Sequence, residues 1–171
     1  DDDLSRGLGD VYKRQAGKFD MSFAGDISIP IYKDLAKQAP HMVCEKHATN
    51  VSTNLIVNQF KPPFDNADIR KAMVLTIDRA AFNKILGHGE FIMSGALLPP
   101  PHGVWGMPPE VLKNVAGYHP DVAGNRAQAQ KIMKKLGYGP DNPLKIKVAT
   151  RNIAIYRDPA VLLIDHLKEI Y

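Results

Sequence analysis

The segment HMVCEKH places His41, Cys44 and His47 within seven residues, and these are ligand types that zinc or nickel accepts. Their spacing works against a shared ion. On a strand, Cys44 points away from both histidines. On a helix, His41 and His47 lie roughly 120° apart around the axis. Surface histidines and a buried thiol are the simpler reading, and no metal is expected. Asp65, Asp68 and Asp78 have the right chemistry for acid–base work, but helix capping explains them more cheaply. There is no GxSxG elbow, no phosphate loop and no HExxH, so neither an enzyme nor a cofactor is expected. Arg151 is the sharper candidate. It follows the alternating stretch LKIKVA and precedes a helical pattern, the place where open α/β sheets gather ligands and where a guanidinium can fork onto a carboxylate. Trp105 sits on the proline-stiffened loop LLPPPHGVWGMPPE, where it can line a pocket or plug a lobe.

Several elements must position these residues. A short strand is expected around Phe19, Met21 and Phe23, then a helix over 31–38 opened by Pro30 and ended by Pro40. A second strand is expected over 53–58. Lys61-Pro62-Pro63 forces an extended backbone, and Asp65 or Asn66 then caps a helix whose stripe is Ile69, Met73, Thr76/Ile77 and Ala80. Asp78 caps a second helix, 79–86, that Gly87 and Gly89 end, so the pause at Asp78-Arg79 is a helix–corner–helix. A further helix is expected from about Asn125 to Leu136, with Gly137 as its C-terminal cap. LKIKVA (144–149) alternates as a strand with one wet face. TRNIAIYR reads as a loop, and Asp158-Pro159 as the start of a last helix carrying Ala160, Leu163, Ile164, Leu167 and Ile170 on one side. Strand, loop and helix in that order argue an α/β fold.

The bulk properties fit a globular chain. Of 171 residues, 44% are hydrophobic and 23% charged, and no apolar run is long enough to span a membrane. The net charge of +4 comes from dispersed bases interleaved with apolar positions, so no nucleic-acid partner is expected. The single cysteine excludes an internal disulfide and leaves cytoplasm and periplasm both open. DDDLSRGLGDVYKRQ (1–15) shows no periodicity and reads as a non-native, adaptor-derived segment, with no secretory signal. Tyr171 falls inside a helical pattern, so the chain is expected to be an internal fragment of a longer protein.

NQFKPPFDNADIRKAMVLTIDRAAFNKIL resembles the signature region of the extracytoplasmic solute-binding proteins of ABC transporters in the dipeptide, oligopeptide and nickel family (family 5). An asparagine-bearing strand, a Pro-Phe-Asp turn, an Ile-Arg-Lys-Ala helix and an Ile-Asp-Arg corner occur in the family's order. ALLPPPHGVWG is similar to its Pro-Pro…Trp-Gly loop, and HPDVAGNRAQAQKIMKKLGYG to its Asp…Gly-Tyr helix, with GNRAQ expected to lengthen a surface turn. AGKFDMSFAGDISIPIYKDLAKQAP fits the preceding strand and short helix. The resemblance implies a fragment of a bilobal, type II periplasmic-binding fold. Residues 16–50 would end the first lobe, 51–58 would be a hinge strand, and 59–171 a second lobe cut short at its C-terminal side. It implies a periplasmic or extracytoplasmic monomer that captures a peptide or similar small solute for the membrane permease and its ATPase, without catalysis. Nickel chelates, opines and oligosaccharides are the alternatives within the family, and an α/β hydrolase fragment the alternative outside it. By resemblance the loop after the LKIKVA-like strand carries the arginine that engages a ligand carboxylate. Arg151 matches best and Arg157 is its rival, with Trp105 near the cleft. The acidic partner of a peptide's amino group would lie beyond Tyr171.

Overall fold

A computed structural model of the chain describes residues 27–41, 53–92 and 106–171, together with 13, 16–18, 20, 43 and 45. The strand expected around Phe19, Met21 and Phe23 lies outside them, apart from Asp20. Six helices carry the regular structure among the described residues: α1 (Ile29–Gln38), α2 (Ala67–Thr76), α3 (Arg79–Leu86), α4 (Pro109–Leu112), α5 (Val122–Lys135) and α6 (Ala154–Lys168).

The quoted Pro-Pro-Phe-Asp turn is held by its own backbone and by one arginine. Phe64 and Asp65 N–H groups donate to the Lys61 carbonyl at 3.0 and 3.1 Å, and Asn66 N–H to Pro63 at 3.3 Å. Asn66, one of the two expected caps, accepts from Asp68 N–H at 2.8 Å, with Asp68 itself at the positive end of α2. From one turn inside α2, the Arg70 guanidinium donates back to the carbonyls of Phe64 (2.6 Å) and Asp65 (3.1 Å). The corner also forms as the sequence suggests. Ile77 and Asp78 leave helical geometry, and the Asp78 carboxylate accepts from Ala81 N–H at 2.9 Å to start α3. Gly87 then closes α3 on the Asn83 carbonyl, and Gly89 follows at φ +83°.

α2 is buried on two sides, and that decides the packing. Ala72 and Leu75 meet Ala129 and Met133 of α5, with Ile170. Ile69 and Met73 meet Leu163 and Leu167 of α6. α5 begins at Val122, earlier than the expected Asn125, because the Asp121 carboxylate accepts from Gly124 N–H at 2.9 Å. A Cβ at Gly124 would collide with that carboxylate, so the glycine that looks like a loop residue is what permits the cap. GNRAQ is therefore helical and lengthens no turn. At the far end Tyr138 N–H bonds to Met133 and Gly137 N–H to Lys134, with Gly137 at φ +87°, a Schellman ending.

Two expected strands differ. Neither 53–58 nor 144–149 forms a ladder among the described residues, where one isolated bridge joins Gly139 and Asn142. The period of two is nonetheless real in the second. Leu144, Ile146 and Val148 are half-buried while Lys145, Lys147 and Ala149 are exposed. α6 also starts four residues before the expected Asp158, with Pro159 inside it. Within 97–110 only 106–110 are described, and α4 begins there as a single turn.

The corner is tied to the α4–α5 connection. The Arg79 guanidinium donates to the Gly117 carbonyl and lies 3.9 Å from the centroid of the Tyr118 ring. Gly117 has φ +79°, and a Cβ there would collide with the Val74 carbonyl at the end of α2. Gly117→Ala is expected to lower stability by about 2–4 kcal/mol, combining left-handed strain with overpacking. A urea midpoint that does not move would show that Val74 leaves this loop free.

Candidate ligand-binding site

The start of α6 is the part of the structure best suited to meet a ligand. Ile153 stands at the N-cap with extended dihedrals, φ −122° and ψ 139°, and offers no side-chain oxygen to the helix. No acidic residue occupies the first turn. Tyr156 and Arg157 N–H groups both donate to the Ile153 carbonyl at 2.9 and 2.8 Å. Pro159, lacking an N–H, gives nothing to the carbonyl one turn back. The result is an uncapped, positively polarised helix end that favours a negative group.

Arg151 lies beside that end. It is exposed, on the stretch that follows the half-buried alternation of 144–149, and its guanidinium carbon is 6.0 Å from the centroid of the Tyr156 ring. Among the described residues it makes no ion pair. Next in sequence, Ile153, Ile155 and Tyr156 are exposed apolar side chains. A planar cation near a tyrosine ring and just before an open helix N-terminus, on a segment that also exposes two isoleucines, can hold a carboxylate and an apolar side chain together.

Arg157 differs from its expected place. It lies inside α6 and not on the loop, and its Nε donates to the Asp158 carboxylate at 3.0 Å. The structure thus places Arg151 just before the helix and Arg157 in its first turn, and of the two only Arg157 has an acidic partner among the described residues. Trp105 lies outside the described residues. So do Cys44 and His47 of the dismissed metal trio, while His41 is exposed. No group of three or more metal-ligating side chains occurs among the described residues. Of the three aspartates, Asp78 caps α3 with its carboxylate, while Asp68 lies in the first turn of α2 and Asn66, not Asp65, is that helix's cap. Two surface recesses, of about 360 and 260 Å³, are lined by Lys71, Lys113 and His119 in one case and by Lys134 and Tyr138 in the other. Arg151 lines neither.

Residues 11–170 match the family profile described as bacterial extracellular solute-binding proteins, family 5, middle region. The chain belongs to this family. A curated relative, the periplasmic oligopeptide-binding protein OppA of Haemophilus influenzae, is 27% identical over 143 residues. That alignment covers 81% of this chain and 25% of the relative, so the chain spans about a quarter of the length of the curated protein it matches. No solved structure matches. The family is described as one of bacterial extracellular solute-binding proteins, which supports an extracytoplasmic setting. Among the described residues no helix is long and apolar enough to cross a membrane.

Ile153, Ile155 and Tyr156 are candidate site residues that sequence reasoning does not single out, because NIAIY lies in the segment TRNIAIYR, which reads as a loop, and Ala154–Tyr156 instead opens α6. The signal was there: three large apolar side chains crowded into a segment otherwise headed by Thr-Arg-Asn. Ile153→Asp gives the helix the cap it lacks, at a position that already has cap geometry. It is expected to raise stability by about 0.5–1 kcal/mol in urea unfolding. A loss instead would show that the Ile153 side chain is held by packing.

Proposed function

We propose that the chain is part of the substrate-binding component of an ABC importer and captures a peptide or similar small solute in a cleft between two lobes. The similarity to an oligopeptide-binding protein over four-fifths of the chain is the observation that carries this reading. The geometry at the start of α6 supports it in chemical terms. A peptide offers a terminal carboxylate, which a guanidinium with no ion pair among the described residues and an uncapped helix end both favour, and apolar side chains, which Ile153, Ile155 and Tyr156 can cover.

In this reading residues 16–50 end the first lobe, 51–58 form the hinge strand and 59–171 belong to the second lobe. Arg151 is the carboxylate clamp, Arg157 its rival, and Trp105 a wall of the cleft. The ligand works by closing the hinge. It contacts both lobes only in the closed form, so its binding energy shifts the open–closed population toward closure. The closed, loaded protein is then the form handed to the permease and its ATPase. No bond in the solute is made or broken.

Thermal-shift screening against peptides, sugars, opines and nickel chelates tests the ligand class, because a ligand that binds only the folded protein raises its melting temperature with occupancy. Peptides are expected to give the shift. A shift with sugars, opines or chelates alone would move the protein to another branch of the family. Arg151→Ala should weaken a carboxylate-bearing ligand by about 2–4 kcal/mol while leaving the unliganded melting temperature in place. Arg157→Ala should change the affinity far less. The reverse order would make Arg157 the clamp.

A further inference from the structure

His166 lies near the C-terminal end of α6 and is only 6% exposed, one of two buried polar side chains among the described residues. Its Nδ1 accepts the backbone N–H of Asp78, 3.3 Å away, at the point where the chain turns from α2 into α3. That bond needs a lone pair on Nδ1, so the ring is neutral and carries its proton on Nε2. The ring also meets Phe82 of α3 edge-to-face, with centroids 5.2 Å apart and planes at 72°. One imidazole therefore holds α6 against both the N-cap and the side of α3.

Charged groups reach this ring from each neighbouring element. Arg126 comes from α5, with its Nε on the Thr76 carbonyl at 3.2 Å and its Nη1 4.0 Å from the Glu169 carboxylate. Asp78 comes from the corner, its carboxylate already engaged by Ala81 N–H. Asp165 and Glu169 belong to α6 and the residue that closes it. Burial, and then the Arg126 charge, hold the imidazole below its usual 6.5, and the three acids oppose this without reversing it.

We infer that His166 is a pH-responsive latch whose neutral ring fastens α6 to the corner between α2 and α3, and whose protonation unfastens it. A proton on Nδ1 would face the Asp78 N–H donor to donor and place a cation in a nearly dry contact with Phe82. Because the folded ring takes its proton at lower pH than the unfolded chain, the latch is fully effective above about pH 6.5. Its contribution is lost as pH falls from there toward the folded value, and levels off below it. The other end of α6 begins three residues after Arg151, so loosening this helix also bears on the candidate ligand-binding edge. The latch itself rests on contacts that hold whatever the ligand is.

The test is a ring-resonance NMR titration of His166 in the protein, with Asp78 amide exchange followed in the same samples and corrected for its intrinsic pH dependence. The ring is expected to be the Nε2–H tautomer at neutral pH and to titrate below 6.5. Corrected exchange at Asp78 is expected to accelerate about tenfold across that transition. His166→Gln, whose carboxamide oxygen keeps the acceptor without a charge, should lose at least half of the acid-induced drop in urea midpoint. A ring that titrates at or above 6.5, exchange at Asp78 that ignores the transition, or an unchanged pH slope in the glutamine variant would overturn the latch. If that variant does not fold, the wild-type titration and exchange decide alone.

Discussion

Ala72 and Ala129 are both completely buried where α2 and α5 cross, and their side chains end at Cβ. Two methyl groups let the helices approach closely, and Met133 and Leu75 fill the space beside them. On its other flank α2 presents Ile69 and Met73 to Leu163 and Leu167 of α6. α2 is thus a slab shared by two interfaces, and its position fixes those of both neighbours. A larger side chain at either alanine would push α5 away and disturb the α6 contact through the same helix. The placement of α6, whose start follows Arg151, depends on this close crossing.

The arginines show how the chain uses its basic residues. Arg70 closes the turn before α2 by bonding the Phe64 and Asp65 carbonyls. Arg79 reaches the Gly117 carbonyl and stacks on Tyr118. Arg126 bonds the Thr76 carbonyl at the end of α2. Each satisfies a backbone acceptor left open at a helix end or turn, so each is structural. Arg151 touches no carbonyl or carboxylate among the described residues, and it stands at the helix start whose own donors lack a cap. Residue type is the same in all four; the partner is what separates a brace from a binding group.

Local signals carried much of the helical structure. Asn66 and Asp78 were readable as caps, and the stripe from Ile69 to Thr76 as a buried face, because those interactions lie within one or two turns. Two starts were misplaced for a shared reason. Gly124 and Pro159 look like breaks, yet Gly124 makes room for the Asp121 cap and Pro159 is accommodated in the second turn of α6. The pleat of 144–149 was also readable, since alternation belongs to the segment, whereas a strand's partner comes from elsewhere in the chain. The latch at His166 was illegible because its contacts, Asp78 and Phe82, lie more than eighty residues away in sequence. Arg151 is proposed from its place between an alternating segment and a helix. The exposed apolar residues Ile153, Ile155 and Tyr156 fall in TRNIAIYR, expected as a loop, whose second half is in fact the start of α6.

The central functional claim is that the Arg151 guanidinium, beside an uncapped helix start, receives the carboxylate of a solute. A crystal structure of the protein with a bound peptide measures this directly. The expected result is a carboxylate oxygen within hydrogen-bond distance of the Arg151 guanidinium, with an apolar side chain of the peptide against Tyr156 or Ile155. A peptide held elsewhere, with Arg151 pointing into solvent, would contradict it.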